Sequence, residues 1–195
     1  MVRPGPHPLS FVLHPTPVGT MLIVAGPAGV RRADHGSSDD PAAHRRTLAD
    51  LAARIGEPLT PATAGDLAIV AARQLDEYFA GTRTRFDVPL DLSGLPPFRR
   101  EVLEAVTEIP FGHTVSYGEL AEMAGRPAAH RAAASSCSHC PVSLLIPCHR
   151  VVHADGRVGG YGTRVDVKRW LLDFEQGRPE RVNRRSSPAR RARRG

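Results

Sequence analysis

The chain has 195 residues, 41% apolar and 24% charged, which is enough for one mid-sized domain or two small ones around a packed core. No apolar run is long enough for a membrane span, Met1–Pro6 has no signal-peptide core, and three cysteines are too few for a disulfide framework, so a reducing cytoplasm is expected. The formal charge of +6 does not describe a basic fold: Arg178–Gly195 holds eight arginines against Glu180, and the rest of the chain is slightly acidic.

In the first half, residues 9–33 alternate apolar and polar positions around Gly19, Gly26 and Gly29, which predicts short strands at Phe11–Leu13 and Met21–Ala25. Asp34–Asp40 reads as a polar loop and Ala42–Ile55 as a modestly amphipathic helix. Thr63–Phe79 reads as a stronger helix. Its Leu67, Val70, Ala71, Leu75, Tyr78 and Phe79 form an apolar stripe, and Gly81 is a natural stop. Arg85–Leu90 reads as another strand and Asp91–Pro97 as a linker. Residues 1–90 are therefore expected to form an α/β domain. Its histidines (7, 14, 35 and 44) are scattered and it contains no cysteine, so no catalytic or metal-binding cluster is expected there.

Residues 91–178 read as a second, mainly α-helical domain. Phe98, Val102, Leu103 and Val106 mark a helix that ends before Pro110. Ser116 and Glu119 have capping-box spacing and open a helix through Met123. Gly125-Arg126-Pro127 breaks it, and Ala128–Cys137 forms a third helix rich in Ala and Ser. Helix, glycine turn, helix is the outline of a helix-turn-helix, and small side chains on its second helix let the backbone approach a groove. Residues 179–195 carry few apolar side chains and are expected to be a disordered, Arg-rich tail with a salt-screened attraction to phosphates. The single lysine, Lys168, stands against 25 arginines, a bias that reads as genome composition.

The most unusual segment is Ile146-Pro147-Cys148-His149-Arg150-Val151-Val152. Its apolar flanks predict that Cys148 lies at the inner edge of a pocket. A buried thiol is often a small hydrophobe and can equally be a nucleophile. His149 supplies an imidazole, and Pro147 favours a rigid turn. Gly156, Gly159, Gly160 and Gly162 around Tyr161 suit a loop that closes over a site.

Pro147-Cys148-His149-Arg150-Val151, the Gly-Tyr loop and Trp170-Leu171-Leu172 with Glu175 together resemble the active-site region of the O6-alkylguanine-DNA alkyltransferases. The resemblance runs from about Phe98 to Glu175, and more loosely back to Gly81. It implies an α/β N-terminal domain followed by a mainly α, winged-helix-like C-terminal domain. It also implies one irreversible transfer of an alkyl group from guanine O6 in DNA to Cys148. In that reading His149 acts as base through a water, Glu175 orients His149, and Tyr117 donates to the leaving guanine. Arg131 fills the space of the flipped base, and Ala132, Ala133, Ser135 and Arg150 join it in contacting DNA. Pro147, Val158, Gly159, Gly160 and Tyr161 line the pocket. The thioether product is a poor leaving group, so a single turnover without metal or cofactor is expected. The implied protein is a cytoplasmic monomer whose partner is double-stranded DNA containing O6-alkylguanine. Some members hold zinc in the N-terminal domain, which is not expected here.

This chain departs from the family at Cys140, which stands eight residues before Cys148 where an Asn-Pro turn is usual. A thiol is a weaker hydrogen-bond partner than an amide, so the link between helix-turn-helix and active-site turn is expected to be looser. Cys137-Ser138-His139-Cys140 also has C-x-x-C spacing, and with Cys148 could hold zinc or form a disulfide. Two other functional classes stay open. Alkyltransferase-like damage sensors flip the lesion without accepting the alkyl group, but they lack the nucleophile. A Cys-His hydrolase needs a separate His and an oxyanion hole, and the sequence points to neither.

Overall fold

The computed structural model describes residues 9–35, 41–56 and 58–178. The Arg-rich tail and most of the Asp34–Asp40 segment lie outside these residues. Alternating apolar positions produce three long antiparallel strands where two short ones are predicted: β1 (Leu9–Thr16), β2 (Gly19–Gly26) and β3 (Gly29–His35). Gly29 joins β2 to β3 at φ 141°, and a Cβ there would lie 2.7 Å from the Pro89 carbonyl oxygen, so only glycine fits. A short β4 (Leu59–Pro61) runs parallel to β1, giving the order β3-β2-β1-β4.

Two helices accompany the sheet, α1 (Pro41–Ile55) and α2 (Leu67–Phe79). α2 lays its buried Ala71, Leu75 and Tyr78 against β1 and β2. It starts at Leu67 rather than Thr63 because the Asp66 carboxylate accepts from the Thr63 N–H (2.6 Å) and Asp66 itself is extended. The strand expected at Arg85–Leu90 does not form. Buried Gln74 accepts from the backbone N–H groups of Asp87 (3.1 Å) and Val88 (3.3 Å), the donors a neighbouring strand would have used.

The second half contains α3 (Pro97–Thr107), α4 (Tyr117–Met123), α5 (His130–Ser138) and α6 (Val165–Glu175). A short parallel pair, β5 (Val115–Ser116) and β6 (Val151–Val152), joins the start of α4 to the Cys148 segment. α4 has a complete capping box: Ser116 Oγ accepts from the Glu119 N–H (3.1 Å), and the Glu119 carboxylate accepts from the Ser116 N–H (2.6 Å). Ser116→Ala is expected to cost about 1 kcal/mol, read as a lower urea midpoint at unchanged slope. α5 starts two residues later than its spacing predicts, because Pro127 opens a separate 3-10 turn, Pro127–Ala129. α4 and α5 pack against each other across that turn.

One apolar core runs through both halves. It joins Met21 and Ile23 of β2 and Leu75 and Tyr78 of α2 to Leu103 of α3 and Leu171 of α6. The outermost strand also bonds beyond its sheet: the Val30 N–H donates to the Pro89 carbonyl (2.7 Å) and the Ala33 N–H to the Pro141 carbonyl (2.8 Å). Among the described residues no helix is long and apolar enough to cross a membrane.

Candidate active site

Backbone bonds fix the turn that carries Cys148. Leu144 takes φ 73°, the Ile146 N–H donates to the Val142 carbonyl (3.0 Å), and Cys148–Arg150 winds a 3-10 turn closed from the Arg150 N–H to the Pro147 carbonyl (2.9 Å). With a thiol at position 140, the turn is tied through Ser143 Oγ donating to the Cys140 carbonyl (3.3 Å) and through the Ala33–Pro141 bond.

Glu175 is the hub of the site. It closes α6, where the helix dipole disfavours a carboxylate. Donors from three other segments reverse that preference. Tyr78 Oη of α2 donates to Oε1 (2.7 Å) and the Gly112 N–H to Oε2 (2.9 Å). His149 Nε2 lies 2.7 Å from Oε1, and the Arg150 guanidinium forks onto both oxygens at 2.9 Å. Burial alone would push this carboxyl up, but the bonds from His149 and Arg150 hold it at about 2.

An ionised carboxylate only accepts, so the proton shared with His149 belongs to Nε2. Burial lowers the His149 pKa, against the pull of Glu175, and the ring is neutral at pH 7. Its buried Nδ1 is then a bare lone pair with no hydrogen-bond partner among the described residues. That nitrogen is a base next in sequence to the Cys148 thiol.

Cys148 is 1% exposed. The neighbouring Cys137 and Cys140 thiols, with burial, raise its pKa. Lys168 is completely buried and donates to the Val151 carbonyl (2.5 Å) and Tyr117 Oη (3.4 Å). Burial disfavours its charge, while Cys137 and Cys148 favour it. Burial likewise pushes the Tyr117 phenol to about 12, so it stays a donor at neutral pH. The Gly159 backbone lies against that phenol ring.

Two family profiles match the chain: the 6-O-methylguanine DNA methyltransferase ribonuclease-like domain over residues 12–92, and the DNA binding domain of the same family over residues 97–177. A Thermus thermophilus protein named DNA base-flipping protein is 40% identical over 83% of this chain and 96% of its own. The chain belongs to the 6-O-methylguanine DNA methyltransferase family. A Mycobacterium tuberculosis methylated-DNA–protein-cysteine methyltransferase is 46% identical, over 55% of this chain and 65% of its own. The crystal structure of Mycobacterium tuberculosis OGT in complex with DNA superimposes at a TM-score of 0.69, with 32% identity over 88% of this chain and 94% of its own.

Of the residues the family signature singles out, the structure brings Cys148, His149 and Glu175 into one buried group with Pro147 and Tyr161. Tyr117 and Gly159 are buried against each other, while Val158 is half-buried and Gly160 exposed. Arg131, Ala132 and Ser135 lie on the exposed face of α5. Two expected DNA contacts are corrected. Ala133 faces the core, because it lies one position off that exposed face. Arg150 is buried on Glu175 and on the Ile109 carbonyl (2.6 Å), so its charge balances a carboxylate instead of a phosphate. Cys148 itself is almost fully buried. An open cavity of about 400 Å³ nearby is lined by Cys140, Ser143, Tyr161 and His35, with Cys148 outside its lining.

Sequence reasoning missed Tyr78 and Lys168. Tyr78 looked like part of an apolar stripe, and its Glu175 partner is 97 positions away. Lys168 did carry a signal: the one lysine in an arginine-rich chain sits where a compact ammonium is enclosed. A Cβ at position 159 would collide with the Tyr117 oxygen and lie 3.0 Å from two ring carbons. Gly159→Ala is expected to slow alkyl transfer by about tenfold to a hundredfold in a folded protein, measured in single-turnover reactions.

Proposed function

We propose that this protein repairs alkylated duplex DNA directly, moving the alkyl group from guanine O6 onto Cys148 once per molecule. One observation carries the reading: next in sequence to Cys148 stands a buried imidazole whose Nε2 is fastened to a buried, ionised Glu175. Cys148 passes its proton through a water to His149 Nδ1, and Glu175 stabilises the imidazolium that results. The thiolate attacks the alkyl carbon, the carbon–oxygen bond breaks, and the guanine takes a proton from Tyr117. Lys168, bonded to Tyr117 Oη, stabilises the phenolate until it is reprotonated.

The base has to leave the stack to reach the sulfur. Because Cys148 is buried, the Val158–Tyr161 segment must shift to admit it. Arg131 enters the duplex from the exposed face of α5, and Ala132 and Ser135 allow the helix to come close. Arg131→Ala is expected to cost about 1–3 kcal/mol of affinity for a lesion-bearing duplex, measured by fluorescence anisotropy. Residues 91–178 form the DNA-binding, alkyl-accepting part and 1–90 the α/β part that buttresses it through Tyr78. The protein acts in the cytoplasm as a monomer, without metal or cofactor.

A second reading is favoured by the name of the Thermus thermophilus relative, a base-flipping protein similar along almost its whole length. In that reading the chain binds and flips the lesion without accepting the group. One reaction separates the two. The full-length protein is mixed with duplex DNA carrying labelled O6-methylguanine. One methyl per molecule on Cys148 supports transfer, whereas tight binding with no adduct supports the sensor and overturns transfer.

A further inference from the structure

Tyr78 stands on α2, in the α/β half of the chain, yet it is completely buried and its hydroxyl donates to Glu175 Oε1 at 2.7 Å. The same oxygen accepts from His149 Nε2 (2.7 Å) and from Arg150 Nη2 (2.9 Å). Tyr78 therefore shares the oxygen that holds the imidazole. Phe79 and Phe86 grip its ring from its own half, and Phe111 and Phe174 from the other, with ring centroids 5.2–5.9 Å away. Phe111 and Phe174 are the sequence neighbours of Gly112 and Glu175, so the phenol is fixed against the same segments that carry the carboxylate and one of its donors. Burial and the Glu175 charge raise the phenol pKa, so the hydroxyl stays a donor. Packing alone would need only the ring.

We infer that Tyr78 is a positioning residue through which the α/β half sets the basicity of His149: its hydroxyl fixes the Glu175 carboxylate against Nε2 and takes up part of the charge on Oε1. Its effect on alkyl transfer rests on the function proposed above. Without the phenol, more of the Oε1 charge falls on His149 and its imidazolium becomes more stable. The carboxylate also loses a bond that holds its orientation. No other group facing the ring replaces Tyr78. Arg150 and Lys168 oppose a positive His149. His35 of β3, lowered to about 4 mainly by burial, is neutral at pH 7. Tyr161 meets the imidazole edge-on at 6.4 Å, and burial keeps its phenol uncharged.

Tyr78→Phe keeps the ring among its four aromatic neighbours and removes only the donor. The titration of His149 is followed by nitrogen NMR on the full-length protein labelled at its nine histidines, His149 being the signal missing from His149→Gln. In Tyr78→Phe this titration is expected to move up by roughly half a unit to one unit. The base acts when neutral, so the fall of the single-turnover transfer rate at low pH should move up by the same amount. The rate on the plateau should drop about tenfold as the carboxylate loses its fixed orientation. A 3-fluorotyrosine placed at position 78 is a stronger donor of nearly the same shape. It should move the titration down, and it carries the test if Tyr78→Phe does not fold. The proposal is overturned if folded Tyr78→Phe keeps the wild-type His149 titration, whatever its melting temperature, or if the fluorinated ring leaves that titration unmoved or raises it. Should wild-type protein take no methyl group, the repair function fails, and the His149 titration alone decides the role of Tyr78.

Discussion

Cys148→Ser is expected to abolish methyl transfer while leaving the fold and DNA binding in place. Serine keeps the shape of the side chain, so Pro147 and the 3-10 turn need not move. The hydroxyl holds its proton far more tightly than a thiol does, and the His149 lone pair cannot ionise it to a useful extent. Loss of the attacking sulfur typically costs at least about 10⁴ in rate. Single-turnover reactions with labelled O6-methylguanine duplex measure this directly. Thermal unfolding checks that the variant is folded, and anisotropy checks that it still binds. Transfer at the parent rate in a folded Cys148→Ser variant would remove the basis of the proposed chemistry.

Glu175→Gln is expected to destabilise the protein by about 3–5 kcal/mol, because it leaves the buried Arg150 charge without its counter-charge. Glutamine keeps the volume but forces a donor toward His149, Arg150, Tyr78 or Gly112, all of which donate already. The pH dependence gives an independent check. The Glu175 carboxyl sits at about 2 in the folded protein against an ordinary value of 4.5. A depressed acid contributes stability that is complete above about 4.5 and drains away as pH falls toward 2. By linkage this amounts to about 3 kcal/mol. Buried His35, lowered to about 4 from 6.5 mainly by burial, adds a separate decline below neutral pH in both proteins. The melting-temperature gap between wild type and Glu175→Gln should therefore be widest at neutral pH and shrink below about 4.5. A gap that stays constant down to acid pH would mean that the carboxylate charge is not what the site depends on.

What the sequence revealed was chemistry between near neighbours. The Ser116–Glu119 capping box, the α3 stop before Pro110 and the α4 end at Met123 each depend on a few adjacent residues, and each forms as expected. The alternating pattern found β1 and β2 but undercounted their lengths and missed β3 and β4, whose pairing depends on distant strands. The Arg85–Leu90 strand failed because a side chain on α2 took its backbone donors, which periodicity does not register. At the site, Cys148, His149 and Glu175 were legible through the family signature. Arg150 was misassigned because an arginine reads as exposed until its buried partner is known. The C-x-x-C spacing pointed to Cys137 and Cys140, but not to their effect on the Cys148 thiol, which depends on the fold.

The backbone link between Ala33 and Pro141 has a consequence for the fate of the reacted protein. A terminal strand such as β3 offers its unpaired amides to any other chain, an invitation to edge-to-edge aggregation that natural sheets must block. Here the blocking is done in part by the same peptide loop that delivers the sulfur. An alkyl group added at Cys148 needs room in a packed interior, and displacement of that loop would strip the guard from β3. Molecules that have completed their one reaction would then be the ones most prone to self-association.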